Sequence, residues 1–61
     1  MRKYFVTFKL YDHERFRSDE VELEPDEKAN YDTFFKKVDD GLNHWHNHYC
    51  EYIISWSLIE D

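Results

Sequence analysis

His44, His46, His48 and Cys50 lie close together in the chain. Imidazole and thiolate are the ligands that zinc favours. On an extended strand, alternate residues share a face, and all four side chains could converge on one ion. On a helix they could not. His46 would point about 200° away from His44, leaving only His44 and His48, at i and i+4, on one side. Two imidazoles make an incomplete site. His13 is distant in sequence and no second cluster completes it, so neither metal nor cofactor is expected. On the helical reading His44 is exposed, and His46 and His48 flank a core stripe.

Cys50 as a nucleophile needs a base oriented by a third group. His46 or His48 could stand near it, but 61 residues with one helix leave little room for a substrate pocket. A partly buried, inert thiol is the expectation. The carboxylates are many, yet none sits among apolar residues in a way that would raise its pKa. With one glycine in the chain, Gly-rich phosphate loops are excluded. No residue is assigned a catalytic role. A small metal-dependent or thiol enzyme is the least favoured functional class.

Glu20, Glu22 and Glu24 are the other candidate constellation. On a strand they stand about 6.6 Å apart on one face, and Asp19, Asp26 and Glu27 extend the charge. A ladder of carboxylates can imitate a phosphate backbone and occupy the DNA-binding site of another protein. The simpler reading is an edge strand kept soluble by charge.

These groups must be positioned by one small domain, residues 1–61. The net charge is −6 and unevenly spread. Residues 1–17 carry five Lys/Arg against two Asp/Glu, and residues 18–61 carry three Lys against twelve Asp/Glu. Such a chain is a poor binder of nucleic acid, because phosphates must be met by cations. A basic protein partner suits it better. A lone cysteine, no recognisable signal peptide and no run long enough to span a bilayer read as a cytoplasmic protein without membrane contact.

The strongest periodic signal runs from Tyr31 to Tyr49. Tyr31, Phe35, Val38, Leu42, Trp45 and Tyr49 follow steps of four and three, the spacing of one helical stripe, with Phe34 beside it. Asn30 is the expected N-cap, and Asp32 suits the positive end of the helix dipole. The stripe continues in phase across Gly41. One helix is therefore expected, with the glycine letting a strand approach closely.

Tyr4, Val6, Phe8 and Leu10 alternate with Phe5, Thr7, Lys9 and Tyr11, which reads as a central strand. Asp12 to Arg15 form the hairpin turn. A second strand spans Phe16 to Glu24 and stops at Pro25, which cannot donate to a ladder. A third spans Tyr52 to Glu60, with Tyr52, Ile54, Trp56 and Leu58 on its inner face. The fold class is α+β, in the order β-β-α-β. The expected architecture is a three-stranded antiparallel sheet of order 2-1-3 with one helix on one face.

Size and layout from Tyr4 to Glu60 resemble a group of small phage-encoded host-takeover proteins. These are inhibitors of host RNA polymerase and antitoxins against host ribonuclease toxins. The resemblance implies a protein that occludes a host macromolecule, in the host cytosol, rather than a catalyst.

One helix can shield only one sheet face. The opposite face should then present Phe5, Tyr11, Phe16, Ile53 and Ile59, with Thr7, Lys9, Ser55 and Ser57 between them. Exposed apolar patches mark interaction sites. The leading expectation is a non-enzymatic protein-binding module, an inhibitor from a phage or mobile element. Its partner would be a host protein with a basic or apolar surface, or a second copy in a homodimer. The alternative is an acidic DNA mimic acting through Glu20, Glu22 and Glu24.

Overall fold

A computed structural model describes the whole chain, Met1–Asp61. It contains β1 (Arg2–Leu10), β2 (Phe16–Leu23), α1 (Tyr31–His46) and β3 (Cys50–Glu60). The three strands form an antiparallel sheet in the order β2-β1-β3, with α1 on one face. The α+β layout and the strand order are those expected.

β1 is the spine. Its alternation sends Tyr4, Val6, Phe8 and Leu10 into the core, and leaves Phe5, Thr7 and Lys9 on the other side. The hairpin to β2 turns at Asp12, whose φ of 65° lies in the left-handed region that aspartate tolerates. The N–H of His13 donates to the Leu10 carbonyl across this turn, at 3.3 Å. After β2, the loop is tied down by Arg2, whose guanidinium donates to the carbonyls of Glu24 and Glu27. Asn30 is the N-cap of α1, accepting from the Thr33 N–H at 2.9 Å.

The helix stops earlier than its periodicity suggests. Asn47 takes φ 56° and ψ 38°, and the His48 N–H donates back to the Leu42 carbonyl at 3.1 Å. A left-handed residue followed by such a bond is a helix-terminating motif, and asparagine is second only to glycine there. Tyr49 therefore lies outside the helix and is exposed.

The buried stripe is also rotated. It keeps Val38 and Leu42 of the expected line but takes Phe34 in place of Tyr31, Phe35 and Trp45. Phe34 is 0% exposed and sits between Tyr4 and Trp56, ring centroids 5.1 and 5.0 Å away. Trp45 is 75% exposed, because the helix leans toward β3 and leaves the space between its last turns and β2 open. Gly41 does not admit a strand. Nothing lies within 4 Å of where its Cβ would be. The fold thus tolerates a mid-helix glycine, at a cost of about 1 kcal/mol relative to alanine, without a packing reason.

β3 departs most from simple alternation. Thr7 pairs with Ser55, but the next residue of β1, Phe8, pairs with Ile53. Ile54 is left without a partner, as a β-bulge. Further shifts leave Glu51 and Ile59 unpaired in the same way. Each bulge inverts the facing of the residues beyond it. Ile53 and Cys50 consequently enter the core, whereas Ile54 and Tyr52 are exposed. The expected placement of Ile53 on the open face and of Tyr52 and Ile54 inside is corrected accordingly. Leu58 pairs with Tyr4 and so lies on the inner face as expected, yet stays half-exposed.

Helix side chains secure this irregular edge. The Tyr31 hydroxyl accepts from the Ile53 N–H at 3.2 Å, and Asp39 Oδ1 accepts from the Cys50 N–H at 2.9 Å. Both donors would otherwise be open to a further strand.

Candidate protein-binding face

The sheet face opposite α1 is uncovered. The register arranges it in four cross-strand rows, each centred on β1. Phe16, Lys9 and Tyr52 form the first. Ser18, Thr7 and Ser55 form the second. Glu20, Phe5 and Ser57 form the third, and Glu22, Lys3 and Glu60 the fourth. Directly opposed side chains on one face interact, and these rows are chemically sorted.

In the first row, the Lys9 ammonium leaves the two rings and meets Glu51 Oε1 at 2.7 Å. That hydrogen bond holds the Lys9 pKa above its ordinary value. The aliphatic stem of Lys9 is left between Phe16 and Tyr52. In the second row the hydroxyls of Thr7 and Ser18 are 2.9 Å apart. Phe5 follows, 44% exposed, with nothing apolar opposite it. Lys3 then bridges Glu20 at 3.7 Å and Glu60 at 3.6 Å. These are solvent-exposed pairs, contributing at most about 1 kcal/mol each.

Of the residues expected here, Phe5 and Phe16 stand on the open face. Tyr11 lies just beyond β1, exposed in the turn, and Ile59 is the unpaired residue of the last bulge, half-exposed. Ile53 is absent from the face, being 6% exposed in the core. Tyr52, which periodicity placed inside, takes its position and is 38% exposed. No feature of Tyr52 itself signals this, since the inversion comes from the bulge at Ile54.

Glu20 and Glu22 share this face with Phe5 and Phe16. The acidic row and the aromatic face, separable in sequence, are one surface. Glu24 lies past the end of β2, where its N–H donates to Glu27 Oε1 at 2.8 Å. Arg17 opposes Phe8, on the helix side, and so cannot lie over the open face.

The histidines are arranged differently from either sequence alternative. With the helix ending at His46, His44 and His48 no longer share a helical side. His48 instead packs edge-on against His13 from the hairpin turn, with centroids 5.2 Å apart, and His46 lies 6.4 Å from His48. The Tyr11 N–H donates to the Tyr49 carbonyl at 2.8 Å, clamping the same two loops together. No three His, Cys, Asp or Glu residues are arranged to hold a metal ion. Cys50 is buried. Desolvation, reinforced by the Asp39 carboxylate, pushes its thiol up to about 11. At neutral pH it is a protonated core side chain and a poor nucleophile.

No family model, curated protein or solved structure matches the chain. No helix is long and apolar enough to cross a membrane.

Proposed function

We propose that this chain is a non-enzymatic protein-binding module whose working surface is the open sheet face. One observation carries the reading. A single helix covers one side of the sheet, and the other side exposes Phe5, Phe16 and Tyr52 among charged and hydroxyl side chains. Aromatic anchors within a polar surround are the usual composition of binding hot spots. Carboxylates outnumber cations on this face, with Glu20, Glu22, Glu51 and Glu60 against Lys3 and Lys9. That balance favours a partner with both basic and apolar surface. The strand-strand-helix-strand layout resembles that of the phage-encoded inhibitors noted above, and on that resemblance we infer the same mode of action, occlusion of a host macromolecule.

The DNA-mimic alternative has less support. A phosphate-like ladder requires uninterrupted negative charge, and Lys3 stands between Glu22 and Glu60 while also reaching Glu20.

The test is affinity capture from a bacterial lysate with the parent chain and with a Phe5→Ser/Tyr52→Ser variant. The variant should keep its circular dichroism spectrum and lose the captured protein. Equal capture of the same protein by both would overturn the proposal.

A further inference from the structure

A groove of about 480 Å³ runs between α1 and β2, on the side of the sheet away from the open face. It exists because α1 leans toward β3. Its floor is apolar, formed by Phe8, Val21, Val38 and Leu42. Along the helix wall, Lys37, Gly41 and Trp45 follow at i, i+4 and i+8, so they form one row facing the groove.

Three features of that row and the facing strand point to an occupant. First, the missing side chain of Gly41 leaves open space, with nothing of the protein itself within 4 Å. The floor is therefore accessible beside the helix backbone. Second, Trp45 at the end of the row is the most exposed aromatic in the chain. Its ring stands nearly perpendicular to that of His44, centroids 4.7 Å apart, and most of the indole is open to solvent. Third, the groove is negative. Asp19 and Asp40 stand on its two walls, and Glu20 and Glu22 line its outer lip. The lone cation, Lys37, is already engaged by Glu27 at 3.1 Å.

We propose that this groove is a second docking site, for a basic segment of a protein partner. A short aliphatic side chain of that segment seats over Gly41. A lysine or arginine beside it meets Asp19 and Asp40, and a second cation lies on the Trp45 ring. Cations over exposed indole are a recurrent recognition contact, and opposite potentials across an interface steer association. The groove floor and the aromatic side chains of the open face lie on opposite sides of the sheet, and the two surfaces meet only at the β2 edge, where Glu20 and Glu22 border both.

The test uses a capped hexapeptide of alternating arginine and leucine, titrated into the full chain and followed by two-dimensional NMR. The backbone amide of Gly41 and the indole N–H of Trp45 should shift, while the amides of Phe5 and Tyr52 stay still. Gly41→Leu, which fills the groove with a good helix former, should weaken binding at least tenfold. The exposed reversal Asp40→Lys should do so too, which covers the case of a poorly folded leucine variant. A glutamate-leucine peptide should produce no shifts. The proposal is overturned if the shifts fall on the open face, if neither variant changes the affinity, or if the acidic peptide binds equally well. It is likewise overturned if the same resonances shift with protein concentration alone, since the occupant would then be a second copy of the chain.

Discussion

Phe8 of β1 stands directly opposite Ile53 of β3, and Ile54 has no partner. This pairing decides which of two adjacent isoleucines is core. Ile53→Ser replaces a 6% exposed side chain with a polar one, so it should cost at least about 3 kcal/mol. A chain of this length has a total stability of about 3–9 kcal/mol. Ile54→Ser, at a 45% exposed position, should change stability by less than about 1 kcal/mol. Urea denaturation of the two variants checks the bulge directly. Equal losses would place it elsewhere.

The rotated helix stripe makes a second contrast. Phe34→Ala removes a fully enclosed ring and should destabilise by about 3–5 kcal/mol. Trp45→Ala should fall within about 0.5 kcal/mol of the parent, as surface substitutions do. Thermal melts in which Trp45→Ala is the more damaging would restore the stripe that periodicity favours.

Sequence reasoning reaches the fold through features that have one physical reading. Strict alternation from Tyr4 to Leu10, the barrier at Pro25 and the Asn30 cap are of this kind. It falters where two readings are equivalent. Phe34 and Phe35 are adjacent identical residues about 100° apart on a helix, and only the tertiary packing that sets Phe34 between Tyr4 and Trp56 tells them apart. Ile53 and Ile54 are equally interchangeable until the register is known. The helix end is hidden because Trp45 and Tyr49 keep the apolar period across Asn47. The open face was legible as a consequence of element count, since one helix cannot cover two faces. Phe5 and Phe16 were legible on it, but Tyr52 was not, because it reaches the face only through the bulge.

Glu27 links the loop after β2 to the helix. The Glu24 N–H, and then the Lys37 ammonium, hold its carboxyl below the ordinary carboxylate range. A depressed folded pKa means that the unfolded chain binds the proton more readily. The stabilisation is therefore complete above the unfolded pKa of about 4.3, and disappears as pH falls through the folded value. Glu27→Gln should accordingly narrow the drop in melting temperature between neutral pH and about pH 3. An unchanged acid dependence would show that the ties to Glu24 and Lys37 are not maintained in solution.

Cys50 provides a chemical probe of the core. Its thiol is buried, with the pKa pushed up to about 11. At pH 8 a disulfide-exchange reagent should label native protein far more slowly than urea-unfolded protein, since only the thiolate reacts. Labelling at equal rates would mean that the start of β3 is not packed against Leu10.

The central claim is that the open sheet face meets a protein partner. Its most direct test is site-specific photocrosslinking with benzoylphenylalanine placed at Phe5, a close aromatic replacement, and at Lys36, an exposed position on α1. Each labelled chain is irradiated in the bacterial lysate and resolved by mass. The account predicts one discrete crosslinked protein from position 5 and none from position 36. A discrete crosslinked protein from position 36, with none from position 5, would contradict it.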